Sequence, residues 1–191
     1  MLRTFVVYVE NKPGVLNRVA SLFRRRAYNI ESLTVGHTEK TGVSRMTIVV
    51  DTDECQAHRV EANLYKLVNV LLVEDITCNP AVTRDLALIK VRATAESRPH
   101  ILQLAHVFRA RVVDVAVDSI IVEITGTEDK LDGLLDVLRP YGIIEMVRTG
   151  RVGMSRGAKT AAAAVASAGT LSEVEVYEEG TGEGEDIAYS V

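Results

Sequence analysis

The β-branched run within residues 3–9 reads as a strand, with Phe5, Val7 and Val9 on one face. The period then changes. Over 14–27, Val15, Leu16, Val19, Ala20, Leu22, Phe23 and Ala27 fill one broad arc of a helical wheel, while Asn17, Arg18, Ser21, Arg24 and Arg25 lie opposite. This is the pattern of a helix laid on a sheet. Strands are predicted over 30–37 and 43–50, joined by the hairpin loop Glu39-Lys40-Thr41-Gly42. A second helix over 54–68 sets Ala57, Val60, Leu64 and Leu67 at core spacing, and a strand over 70–76 follows.

The order then repeats. A strand over 86–94 leads to a helix opened by Ser97 or Pro99, with Ile101, Leu104, Ala105 and Phe108 inward. Strands over 112–117 and 120–125 come next. Thr127 then stands at a helix start, Leu131, Leu134, Leu135 and Leu138 share one side, and Pro140 ends the helix before a strand over 143–147. The class is therefore α+β: two tandem ferredoxin-like βαββαβ domains, each an antiparallel sheet with two helices on one face. The expected boundaries are residues 1–78, a linker at 79–84, residues 85–157, and a tail at 158–191. The tail is Ala-rich over 161–168 and acidic beyond, with little to bury, and is expected to be disordered.

Composition narrows the picture. Nearly half of the 191 residues are apolar, yet Trp is absent and aromatics are few, so the cores are expected to be aliphatic. No apolar run is long enough to span a membrane, and no signal peptide is visible before the first strand. Cys55 and Cys78 match no metal or redox spacing, and a reduced cytoplasmic compartment is expected. The net charge of −4 is unevenly placed. Residues 158–191 hold seven acids and one base, leaving 21 bases against 19 acids in the body. Such a body offers no concentrated basic face for nucleic acid. The cluster Arg24-Arg25-Arg26 falls in a last helical turn, where cations complement the dipole.

Candidate chemistry concentrates in one turn. In Glu10-Asn11-Lys12-Pro13-Gly14-Val15-Leu16 a strand stops and a helix starts at once. Free N–H groups at a helix start bind anions. Asn11 adds an amide that donates and accepts, and Gly14 permits close approach to the backbone. The turn suits the charged end of a free amino acid, although an ordinary strand–helix connection has the same residues. Catalytic patterns are missing: His37, His58, His100 and His106 are scattered, and no Gly-x-Ser-x-Gly elbow occurs. Gly153-Met154-Ser155-Arg156-Gly157-Ala158-Lys159-Thr160 has the wrong register for a phosphate loop. With Arg148, Arg151 and Arg156 it reads as a mobile basic hinge. The middle strands present Met46, Ile48 and Val50 rather than the exposed aromatics of an RNA-binding sheet.

Three stretches carry a family resemblance: Glu10-Asn11-x-x-Gly14-Val15-Leu16-x-Arg18-Val19, the run Tyr28-Asn29-Ile30-Glu31-Ser32-Leu33-Thr34-Val35, and Ser44-Arg45-Met46-Thr47-Ile48. Together with Leu131-Asp132 and Gly150-Arg151-Val152-Gly153-Met154-Ser155-Arg156-Gly157, they resemble the regulatory (small) subunit of acetolactate synthase. The first unit alone would indicate only an ACT domain, an amino-acid-sensing module. The resemblance implies a non-catalytic chain without cofactors of its own. Its partner would be a large subunit that carries thiamine diphosphate, magnesium and FAD and joins pyruvate to a second 2-keto acid. It also implies activation of that partner, feedback inhibition by valine or another branched-chain amino acid, and a homodimer through the ACT domains. The effector site would then involve Asn11, Gly14, Val15 and Leu16 on the first turn and Asn29 and Ile30 on the second. A stand-alone tandem-ACT sensor acting on transcription or another enzyme is the alternative.

Overall fold

The computed structural model describes residues 1–157; the expectations for residues 158–191 lie outside the described residues. The first unit runs β1 (Leu2–Glu10), α1 (Val15–Arg25), β2 (Ile30–His37), β3 (Val43–Asp51), α2 (Glu54–Leu64) and β4 (Val70–Asp75). Its strands lie in the order β2-β3-β1-β4, all antiparallel to their neighbours. Both helices cover one face. Phe5, Val7 and Val9 from β1 meet Val15, Val19, Leu22 and Phe23 from α1, with Val60 and Leu64 from α2 closing the core. Leu16, placed in the same arc by the wheel, is 44% exposed instead. The helix spends its apolar stripe on Val15, Val19, Leu22 and Phe23, and Leu16 falls just outside it. Asp53 caps α2 by accepting from the Gln56 N–H at 2.7 Å.

The second unit repeats the plan: β5 (Ala81–Arg92), α3 (Arg98–Val107), β6 (Arg111–Val115), β7 (Ser119–Gly126), α4 (Glu128–Leu138) and β8 (Ile143–Arg148), with strand order β6-β7-β5-β8. Ile89, Ile101, Ile120, Ile124, Leu131, Leu134 and Leu138 form its separate core. Thr127 stands at the start of α4, but only its backbone carbonyl is used there; its hydroxyl makes no cap bond. Pro140 lies in a single 3-10 turn, Arg139–Tyr141, which ends the helix.

Two segments depart from the sequence reading. The linker expected at 79–84 is mostly strand, because β5 begins at Ala81. Its partner is β9 (Val152–Ser155), which pairs Ala81 with Ser155 and Arg84 with Val152. The basic stretch expected to be a mobile hinge is thus a fixed return of the chain. It lies against the first sheet, on the face away from the helices. Ser32 Oγ accepts from the Arg151 N–H at 3.1 Å, and Thr34 Oγ1 donates to the Thr149 and Arg151 carbonyls, each at 3.3 Å. Arg45 donates to the Gly153 carbonyl. This explains why Thr4, Val6, Thr47 and Val49, on the helix-free side, are buried. Met46, Ile48 and Val50 point instead into the helix-covered core. The face an RNA would need is covered by the chain itself.

The two outer strands of the first sheet are finished differently. Tyr65, just beyond α2, places its hydroxyl against β4, accepting from the Val73 N–H at 3.0 Å and donating to the Val73 carbonyl at 3.2 Å. β2 has no such side-chain cover among the described residues.

Gly150 is the tightest point of the return. Its φ is +85°, and an added methyl would collide with the Ser32 hydroxyl. Gly150→Ala is expected to cost about 2–3 kcal/mol, the left-handed penalty plus one displaced hydrogen bond. Gly14→Ala, with open space around its methyl, should lose only the conformational part, about 1 kcal/mol. Urea unfolding followed by circular dichroism would rank the two.

Candidate functional site

The turn between β1 and α1 is built around Gly14. Its φ of +84° puts it in the left-handed region, which glycine adopts without strain, and nothing lies within 4 Å of where a Cβ would stand. Gly14 is the N-cap of α1 and supplies no side-chain bond, and the first turn of the helix holds no acid. By contrast, α2 begins with Glu54 and α4 with Glu128 and Asp129. The Val15 N–H donates to the Lys12 carbonyl at 3.4 Å, and no acid in the first turn offsets the rest of the positive end of α1, a condition that favours an anion.

The neighbours of this turn are fixed by bonds from distant segments. The Asn11 N–H donates to the Gly42 carbonyl at 2.7 Å, leaving the exposed side-chain amide 3.5 Å from His37 Nδ1. Asn69, from the loop before β4, donates to Glu10 and accepts from Arg18 Nη1 at 2.7 Å. Lys12 Nζ stands 3.1 Å from Glu10. Asn69, Glu10, Arg18 and His37 were not among the sequence candidates. Asn69 and Arg18 are 51 residues apart, and no local spacing announces their bond.

The second turn is different. Asn29 is exposed and donates its amide to Glu31, while Ile30 is half-buried against the first core. Glu31 lines a cleft of about 410 Å³ between the two units, together with Leu33, Val49, Arg148 and Gly150. Arg148 Nε and Nη2 both reach Asp85 Oδ2, at 3.0 and 2.9 Å, and its Nη1 reaches Asp132 at 3.1 Å. Arg151 spans the units, with Nη1 on Thr4 Oγ1 at 3.1 Å and Nη2 on Glu128 at 2.8 Å. None of the six sequence candidates lines this cleft.

The structure does not bring the two turns together within one chain. β1 and β2 run in the same direction, with β3 between them. Asn11 follows the end of β1, where Glu10 faces Val43; Asn29 precedes the start of β2, where Ile30 faces Val50. The length of β1, Leu2 to Glu10, separates these ends by about 26–27 Å at 3.2–3.4 Å per residue. Each turn is half of any shared site.

Both units match models of one protein family. A profile described as the AHAS small subunit-like ACT domain matches residues 5–72, and one described as the small subunit of acetolactate synthase matches residues 84–157. A probable acetolactate synthase small subunit of Archaeoglobus fulgidus is 54% identical over 159 residues, covering 83% of this chain and 99% of the relative. The chain belongs to the acetolactate synthase small-subunit family. The acetolactate synthase small subunit of Bacillus subtilis is 48% identical, covering 82% of this chain and 92% of the relative. The crystal structure of the small subunit from Thermotoga maritima matches with a TM-score of 0.78 at 39% identity, over 83% of this chain and 99% of that one. In this acetolactate synthase small-subunit fold, the first unit is the ACT domain. Among the described residues, no helix is long and apolar enough to cross a membrane.

The brace beside the ACT turn has a titratable member. The Asn69 amide, and then Lys12, hold the Glu10 carboxyl below its ordinary value of 4.5. A carboxylate favoured in the folded chain lends stability above its unfolded pKa and loses it as the pH falls through the lowered folded value. In Asn69→Ala the Glu10 pKa should rise toward 4.5, and this acid-side loss of stability should shrink. NMR titration of the Glu10 carboxyl carbon, with unfolding compared at about pH 3 and about pH 6, would test both parts.

Proposed function

We propose that this chain is the regulatory, non-catalytic subunit that activates an acetolactate synthase large subunit and makes it sensitive to valine or another branched-chain amino acid. Membership of the small-subunit family carries the reading. Thiamine diphosphate, magnesium and FAD belong, on this reading, to the large subunit, and this chain holds none of them.

The separation of the two turns supports a site between two copies. β2 is an outer strand of its sheet. Two copies joined by antiparallel pairing of their β2 strands put the start of one beside the end of the other. Asn29 and Ile30 of the second copy then approach His37, Asn11 and the open helix start at Gly14. In the pocket so formed, the amides of Asn11 and Asn29 and the helix-start N–H groups hold the carboxylate and ammonium of the effector. Leu16 and Ile30 meet its branched side chain, whereas Val15 is buried in the first core; the 44% exposure of Leu16 fits that task better than a core role. Asn29 already has a carboxylate partner in Glu31, so an effector carboxylate competes for that donor.

Inhibition then requires that the effector bind the inhibited assembly better than the active one. Removing one charge-assisted hydrogen bond weakens binding by about 1.5–3 kcal/mol, roughly 10- to 150-fold. Asn11→Ala and Asn29→Ala are each expected to raise the inhibitory valine concentration by that factor while leaving activation largely intact. Gly14→Asp should abolish sensitivity, since its carboxylate repels that of the effector. The decisive assay adds the chain to isolated large subunit and follows acetolactate with and without valine. Full sensitivity in both Asn variants would overturn the site, and absence of any effect on the large subunit would overturn the function.

A further inference from the structure

The start of β2 holds an acid that the fold leaves uncommitted. β2 and β3 pair Ile30 with Val50 and Ser32 with Val49, so Glu31 is the extra residue of a bulge. A bulge at a sheet edge re-aims the side chain it carries. Glu31 is exposed, and Asn29 donates its amide to Glu31 Oε1. Among the described residues, Glu31 takes no other hydrogen bond and joins no ion pair. Further along the same strand, Gly36 lies in the regular ladder opposite Arg45. Its backbone is not left-handed, and nothing stands within 4 Å of where a Cβ would be. A glycine inside a strand often marks close approach by another backbone or a ligand. On the pairing of β2 strands described above, Glu31 of one copy comes beside Gly36 and His37 of the other, next to the turn at Asn11 and Gly14.

A free amino acid brings a cation as well as an anion. Its carboxylate finds donors at the start of α1. Its ammonium carries only donors and needs acceptors. Asn11, Gly14, Leu16, Asn29 and Ile30 offer it no negative charge. A hydrogen bond between an ammonium and a carboxylate is shorter and stronger than one to a neutral amide oxygen. We infer that Glu31 of one copy accepts the effector's ammonium in the pocket it shares with the other, and that this carboxylate selects amino acids against 2-keto acids. The inference rests on the effector reading above. A 2-keto acid of the same skeleton keeps the carboxylate and the branched side chain, but puts a carbonyl oxygen where the ammonium stood. Glu31 then faces a second acceptor with no proton between them, and a repulsive contact of that kind rejects the wrong ligand. On the same reading the large subunit acts on 2-keto acids, so a sensor without this discrimination would answer to the reaction's own substrates.

Calorimetric titration of the full chain with valine, leucine and isoleucine, each against its own 2-keto acid, reads this selection directly. In the unaltered chain the effector among them should bind at least about tenfold more tightly than its keto acid. Glu31→Gln keeps an oxygen for the Asn29 amide and removes only the charge. It should weaken the amino acid by roughly 10- to 150-fold while the keto acid binds as well as before or better. The preference should therefore collapse, with the fold unchanged by circular dichroism. An undiminished preference in Glu31→Gln would overturn the inference. So would equal weakening of both ligands, the mark of a merely structural role. Either result leaves the effector reading standing, because the unaltered chain still binds its amino acid. Failure of the unaltered chain to bind any of the three amino acids would overturn both.

Discussion

The arginine at 151 joins the two halves of the molecule. Its guanidinium holds Thr4 in the first sheet and Glu128 at the start of α4, while its own N–H and carbonyl are bonded to Ser32 and Thr34 of β2. Four polar groups on three elements thus converge on a single residue. An Arg with planar, spread donors suits this better than a Lys, whose charge sits at one point. The bonds are partly shielded from water, where charge-assisted contacts count for more than on an open surface.

This joint governs how the two units can move against one another. The aliphatic cores of the two units are separate, and across them Thr4, Ser32 and Thr34 of the first sheet are hydrogen-bonded to residues 149–151. Interfaces of that kind permit relative movement more readily than a shared apolar core does. The strand tied down by the return of the chain is β2, whose start carries Asn29 and Ile30. A shift of that strand therefore changes the footing of residues 149–155 and, through Arg151 and Arg148, of α4. Coupling between distant sites needs a connected element with two arrangements. The outer strand and its polar tether are the physical candidates for it here.

Most of the regular structure was legible because it is periodic. The β-branched run in β1, helical spacing in α1, and the repeated order of elements left little freedom. The ribbon of β5 and β9 was not legible: Val152, Gly153, Met154 and Ser155 are too few to establish a period, and their partners lie some 70 positions earlier in the chain. Read alone, their glycines and arginines suggest a hinge, whereas Ile76, Ser32 and Thr34 turn them into a fixed contact. The site divides in the same way. Asn11 and Gly14 stand out because a strand, a turn and a helix start meet within a few residues. Asn69, which braces that turn, and Glu31, which occupies the Asn29 amide, depend on contacts that no local spacing reveals. The broad arc of the wheel includes Leu16, which the narrower buried stripe of α1 leaves exposed.

The hydroxyl of Tyr65 has a consequence for assembly. It sits on the middle of the outer edge of β4 and takes both backbone groups of Val73, the groups that an incoming strand would need. Among the described residues, the first sheet thus keeps its open border at β2. On the proposed pairing each copy spends that border on the other, so this contact closes on two copies.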